Sequence, residues 1–252
     1  EHSGLIFEDN KISFTNSANS CRCVRCNPKG SYKFIGNTFS NANGYRIYNP
    51  DNWLGTAIHC EGQANTQFEE SIEISSNTFD QITGPNQGRC LHIKLQTNNL
   101  IKLESNIFRN SPSGGFLIKF LFYQKITNFT IDSCQFINNV INNKHGGGSG
   151  LWIQNFVKNE NGNNPIFYPF TLYLNNCTFI NNNSNQKGGG VQFGADNEAS
   201  TDKYLTLIEV VIKNSNFSGN VASHGGGAIA IQTKLPFLIE NCNFLNNSST
   251  NY

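Results

Sequence analysis

Three groups of residues in this sequence carry types and spacings that could do chemistry. The run Cys21-Arg-Cys23-Val-Arg-Cys26 has the close thiol spacing of half a zinc site, and Cys60 or Cys90 could complete it. Structural zinc takes ligand pairs spaced by two to four residues, with a second pair elsewhere. The same thiols make disulfides in an oxidising compartment. Disulfides among Cys21, Cys23, Cys26, Cys60 and Cys90 are the expected use, and spacing alone does not fix their pairing. His59 and His92 form the second group. They could bind a metal or a sugar, but a metal needs a third and fourth ligand. The expectation is a solvent-exposed stack that holds no metal and no cofactor.

The third group is six Asn-x-Ser/Thr acceptors for N-linked glycan: Asn128, Asn176, Asn182, Asn216, Asn246 and Asn247. Such tripeptides mark surface loops of secreted proteins. With an even count of eight Cys they point to a secreted or cell-surface chain carrying covalent N-glycans. Charge excludes other classes. Lys and Arg number 18 against 17 Asp and Glu, a formal net charge of +1. That balance leaves no electrostatic footprint for nucleic acid or an anionic membrane. No apolar run approaches the roughly 20 residues that cross a bilayer, so no direct membrane insertion is expected. Only 14% of residues are charged, and 41 Asn supply the polarity instead. The chain opens at Glu1 without a targeting pattern, which reads as a mature or truncated form.

The elements that position these groups come from a repeat. One pattern recurs eight times: apolar, any, apolar, any, any, Asn/Cys/Ser, any, apolar (Phe in seven of the eight copies). It begins at Leu5, Tyr32, Ile72, Ile101, Phe129, Leu172, Val210 and Phe237. Its polar position falls at Asn10, Asn37, Asn77, Asn106, Cys134, Cys177, Ser215 and Cys242, at intervals of 27, 40, 29, 28, 43, 38 and 27 residues. A coil of about 28 residues with surface insertions accounts for both the short and the long intervals. The insertions fall at about 41–56, 155–170 and 194–204.

Apolar-x-apolar alternation is strand periodicity. Ile, Leu, Val, Phe and Tyr in short runs suit a pleated surface. Gly-led runs such as Gly190-Val-Gln-Phe193 and Gly227-Ala-Ile-Ala-Ile231 supply a further strand per coil, with Gly at a tight corner. The fold class expected is all-β, a single right-handed parallel β-helix of about eight rungs over residues 1–252. Asn at an inward turn bonds the backbone of the bend and stacks as an internal ladder, with the Phe beside it as an aromatic column. Cys134 and Cys177, in one column on adjacent rungs, are expected to be packed thiols, small apolar fillers where Asn is replaced.

In that frame the outward column is Ile6, Lys33, Glu73, Lys102, Thr130, Tyr173, Val211 and Leu238, with Glu73 over Lys102. Cleaving an acidic glycan would need carboxylates converging on one outer face. No Asp cluster recurs on consecutive rungs, so no catalytic residue is assigned. His59, His92 and Trp152 share an outward column, and Trp53 lies in an aromatic insertion. These four are the candidate contacts for a glycan or a partner protein.

The stretch FSGNVASHGGGAIAI, Phe217 to Ile231, resembles the repeat of chlamydial polymorphic outer-membrane proteins, which pairs F-x-x-N with G-G-A-[I/L/V]. The F-x-x-N part stands at Phe136…Asn139, Phe179…Asn182, Phe217…Asn220 and Phe244…Asn247, and Gly226-Gly-Ala-Ile229 supplies the other. The first four rungs lack F-x-x-N in that form, so the resemblance covers the C-terminal half. It implies a right-handed β-helix in an adhesin-type surface protein, and the sequons and Asn bias suit a protist relative. The sequence shows no cap before Leu5 or after Phe244. Uncapped strand edges pair with other chains, and a contact that does not close builds a filament. Either the chain is a stretch of a longer repeat array or its ends stack on one another; the expectation is the second, self-association as a head-to-tail homopolymer. An adhesin for a cell-surface glycan or protein is the alternative, and a polysaccharide lyase or glycosidase the second alternative.

Overall fold

The computed structural model describes residues 5–13, 24–26, 31–41, 57–61, 70–83, 90–95, 99–121, 128–142, 147–156, 170–194, 208–231 and 236–251. Described strands stack in parallel into a β-helix. The first face holds eight strands: Leu5–Glu8, Tyr32–Ile35, Glu70–Ser75, Asn99–Glu104, Asn128–Asp132, Phe170–Asn175, Ile208–Lys213 and Phe237–Glu240. Their register is the one the repeat requires. Ile72 lies beside Ile101, Ile101 beside Phe129, Leu172 beside Val210 and Val210 beside Phe237.

A second face follows two residues after the first. Its eight strands are three residues each, from Lys11–Ser13 to Asn243–Leu245, and each carries one inward side chain. That side chain is the repeat's last residue. From Phe39 through Phe79, Phe108, Phe136, Phe179 and Phe217 to Phe244 the rings stack at 4.7–5.1 Å and within 7° of parallel. The spacing is the strand repeat itself, so backbone pairing and ring stacking reinforce one another. The third face runs from Val24–Cys26 to Ile229–Ile231 in seven strands. Among the described residues a fourth sheet of four strands, Val140–Ile141, Asn183–Lys187, Val221–His224 and Ser248–Asn251, lies in the later rungs.

The corners decide which residues point inward. Between the first and second faces one residue per rung takes the left-handed conformation: Asp9, Gly36, Ser76, Ser105, Ser133, Asn176, Asn214 and Asn241, with φ of 52–58° apart from 67° at Gly36. After the second face a second such residue follows: Asn41, Gln81, Asn110, Asn138, Asn181, Gly219 and Asn246, at 51–63°. Asn and Gly tolerate this region at least cost, which is one use of the Asn-rich composition. A third corner opens the third face. There Ala57, Cys90, Gly115, Gly150, Gly190 and Ala228 occupy one column. A Cβ on Gly150 would stand 2.6 Å from the Gly190 carbonyl oxygen and 3.1 Å from the Phe179 ring, so the column admits only small residues. One apolar core runs through the stack from Phe34 to Phe217.

Candidate functional site

The axial polar ladders are the most developed polar feature of the described chain. At the first corner Asn37 N–H and Nδ2 both donate to Asn77 Oδ1, at 2.9 and 3.0 Å. Asn77 N–H and Nδ2 donate to Asn106 Oδ1 in the same way, at 3.1 and 3.0 Å. Asn77 Nδ2 also donates to the carbonyls of Phe34 (2.8 Å) and Ser75 (3.0 Å). Asn37, Asn77 and Asn106 are fully buried. Burying an amide is costly unless its bonds are made, and here they are made.

The cysteines of this ladder are more than apolar fillers. Cys177 Sγ–H donates to Asn175 O at 3.2 Å, and Cys242 Sγ–H to Glu240 O at 3.3 Å. Ser215 repeats the contact with Lys213 O at 2.8 Å and accepts Cys177 N–H at 3.1 Å. Each reproduces the bond to the carbonyl two residues back that Asn77 makes. Cys134 and Cys177 are buried thiols outside any disulfide. Burial pushes the Cys134 thiol up to about 11 and Cys177 well above the ordinary value.

A second amide ladder, which the repeat pattern did not single out, fills the second corner. Ser111 N–H donates to Asn139 Oδ1 (3.3 Å), and Asn139 N–H and Nδ2 to Asn182 Oδ1 (both 3.1 Å). Asn182 passes the same pair to Asn220 Oδ1 (3.1 and 2.9 Å), and Asn220 to Asn247 Oδ1 (3.0 and 2.8 Å). The signal was present. Each member stands five residues after a first-corner member, and the four Asn among them are those of the F-x-x-N motif.

Two of the expected glycan acceptors are members of this ladder. Asn182 is fully buried, with Nδ2 donating to Phe136 O and Asn220 Oδ1 at 2.9 Å each. Its sequon hydroxyl, Ser184, is buried too. Asn247 Nδ2 is turned inward onto Phe217 O at 2.8 Å. A saccharide on either Nδ2 would displace the ladder. Asn176 and Asn246 sit instead at left-handed corner positions and are exposed. Asn216 stands on the outer side of the second face, half-buried, accepting Asn243 Nδ2 at 3.2 Å. Asn128 opens a first-face strand, and its side chain lies outside the described residues.

The histidine and tryptophan column is corrected as well. His59, His92, Trp152 and Gln192 do share a column of the third face. His92 and Trp152 are buried, not displayed. The glycine-rich turns fold back across this outward column. Gly148 N–H donates to Gln192 Oε1 at 3.0 Å, and Trp152 Nε1–H donates to the Gly194 carbonyl at 2.9 Å. The His59 side chain and Trp53 lie outside the described residues, as do Cys21 and Cys23 and most of the three insertions. Cys60 and Cys90 are buried, and no disulfide joins two described cysteines. Cys90 takes its place in the small-residue corner column, its thiol donating to Ser111 Oγ at 3.0 Å. The side chain of Cys26 lies outside the described residues.

Outward carboxylates are held by neighbouring rungs. Glu73 takes Lys33 at 3.1 Å and Lys102 at 3.7 Å, and the bond from Lys33 holds its carboxyl below the usual value. Asp80 takes Arg109 and Asn110, and Asp132 takes Asn175 and Asn176. Among the described residues no group of three His, Cys, Asp or Glu is placed to hold a metal.

The architecture defines a class, the parallel β-helix solenoids. The sequence matches no family model, no curated protein and no solved structure.

Proposed function

We propose that the chain is an extracellular structural protein, a glycosylated β-helical subunit that stacks head to tail into a fibre or surface filament. The observation that supports this reading is the polarity of the ladders. Each rung passes its backbone N–H to a side-chain oxygen or sulfur on the next. At one end of the described stack Asn10 offers the amide oxygen that this pattern uses as acceptor. At the other, Cys242 and Asn247 offer N–H groups in the donor position. The apolar columns match in the same register. Phe237, Leu238 and Ile239 of one copy fall beside Leu5, Ile6 and Phe7 of the next. In the outward column Ile6 is 65% exposed and Leu238 44% exposed, while charges occupy Lys33, Glu73 and Lys102 between them. Stacking in this way extends the parallel pairing of the first three faces with the chemistry already used inside.

Negative-stain microscopy with light scattering on the secreted protein tests the proposal. Fibres that lengthen with concentration, and that Leu238→Lys shortens without unfolding, are the expected result. Single rods of about 40 Å (eight rungs at the strand spacing) at every concentration would overturn it. Rods that bind a glycan array or a cell surface would then establish the adhesin, and release of reducing ends from acidic polysaccharide the enzyme.

A further inference from the structure

The six sequons are not equivalent, because the two corners sort Asn residues by direction. A left-handed corner residue turns its side chain out, and the residue after it turns in. Asn176-Cys177-Thr178 and Asn246-Asn247-Ser248 begin on corner residues. Asn182-Asn183-Ser184 and Asn247-Ser248-Ser249 begin on ladder residues. The tripeptide motif reads the same in both settings. Only the outward setting leaves Nδ2 able to carry a saccharide.

The outward set also has a common location. Asn176 immediately precedes the inward residue before the second-face strand Thr178–Ile180. Asn216 opens the next strand of that face, paired beside Thr178. Asn246 follows directly after the next strand again, Asn243–Leu245, in which Asn243 pairs with Asn216. Three acceptors on three successive rungs therefore crowd one narrow face, within about 10 Å along the axis at the strand spacing. Their neighbours on that outer surface include the polar Asn243, Asn214 and Ser218 beside the aliphatic Ile180 and Leu245.

We infer that N-glycans attach at Asn176, Asn216 and Asn246, making the second face of the last three rungs a carbohydrate-covered ridge, while Asn182 and Asn247 stay unmodified as ladder amides. The inference rests on the secreted reading of the chain. Its consequence is directional: a glycan ridge leaves contacts along the helix axis open but blocks lateral packing through the second face. It deepens the filament proposal by excluding that face from side-by-side bundling.

The test is site-resolved glycopeptide mapping of the chain fused to a cleavable secretion signal and made in a glycosylating host. There it meets the glycosyltransferase whatever its native compartment. The folded, secreted fraction is expected to carry glycan at Asn176, Asn216 and Asn246 and bare amides at Asn182 and Asn247. Glycan at Asn182 in that fraction, or bare Asn176, Asn216 and Asn246, would overturn the inference. Ser184→Ala removes the Asn182 acceptor while keeping the ladder amide. An unchanged glycan map in this variant supports the assignment, and loss of a glycan in it overturns it. Material from the native source decides the other question separately. Bare sequons there, beside the expected map in the secreting host, would sink the extracellular reading and leave the sorting of sites intact.

Discussion

Replacing Asn77 by Ala is the sharpest probe of what holds the rungs together. The side chain makes five hydrogen bonds: it accepts Asn37 N–H and Asn37 Nδ2, and donates to Phe34 O, Ser75 O and Asn106 Oδ1. Some partners keep other bonds. Asn37 Nδ2 still reaches Phe7 O at 2.7 Å, and Asn106 Oδ1 still accepts Asn77 N–H. Asn37 N–H loses its acceptor at a fully buried residue, whereas Phe34 O gives up its second bond and keeps the strand pairing of Tyr32–Ile35 with Glu70–Ser75. Each orphaned buried group costs about 1–3 kcal/mol. With about 1 kcal/mol more for the bonds lost from Phe34 O and Ser75 O, the total is about 2–4 kcal/mol, a large part of a domain's stability. The control is Asn214→Gly at a left-handed corner (φ 52°), which keeps the conformation and removes one exposed bond to Asn175. It should cost about 0.5 kcal/mol or less. Urea denaturation followed by circular dichroism measures both. Asn77→Asp should be worse than Ala at neutral pH, because a carboxylate faces the Phe34, Ser75 and Asn106 oxygens, and should recover partly as the carboxyl protonates. An Asn77→Ala cost near that of Asn214→Gly would refute the claim that the inward amides carry the stack.

Three further outcomes follow from the same geometry. Gly150→Ala should destabilise by about 2 kcal/mol or more, since its Cβ meets the Gly190 carbonyl, whereas Gly225→Ala, with no atom nearer than 3.6 Å, should cost about 1 kcal/mol for its φ of +68°; calorimetry of the two compares them. The unfolded chain ionises Cys134 near pH 9.0 and the folded chain near 11, so stability present below pH 9 falls as pH rises to 11, by about 3 kcal/mol, and Cys134→Ser should make that limb of a pH-stability curve shallower, leaving the part that the buried Cys177 thiol contributes. Glu73, held low by Lys33, adds stability above its ordinary value of 4.5 that is lost as pH falls through its folded value; in Glu73→Gln this acid dependence should vanish for a cost of about 0.5 kcal/mol, screened by salt.

Much of this architecture was legible in the sequence, and the misses have physical causes. The period-two pairs from Leu5 to Phe237 marked the first face and its register, because burial on the inner side permits no slip. The Phe column was legible for the same reason. The separate second face was not, since a strand of three residues has no periodicity of its own. The second ladder needed attention to the fixed five-residue offset from Cys134 to Asn139, Cys177 to Asn182, Ser215 to Asn220 and Cys242 to Asn247. Trp152 and His92 were misplaced because alternation tells inward from outward, and outward was equated with exposed. The glycine turns at Gly148 and Gly188 cross that column, and a Cβ on Gly148 would meet Gln192. The burial of Asn182 was hidden for a related reason: a tripeptide carries no record of which corner it occupies.

The two ladders also explain why the inward polar column changes composition along the chain. Asn10, Asn37, Asn77 and Asn106 fill the first corner on the first four rungs, where the second corner holds Ile82 and then Ser111. From Asn139 onward the amides move to the second corner, and the first takes Cys134, Cys177, Ser215 and Cys242. Each rung thus carries one interior amide, and at the opposite corner Ser111, Cys177, Ser215 and Cys242 each return one bond to the carbonyl two residues back. The fourth sheet, Val140–Ile141 to Ser248–Asn251, accompanies the amides at the second corner. There Asn182 and Asn220 fix the bend from which Asn183–Lys187 and Val221–His224 continue as paired strands. Among the described residues most Asn stand at corners or in the interior ladders, and it is position within the rung, not residue type, that makes an Asn a turn or a strut.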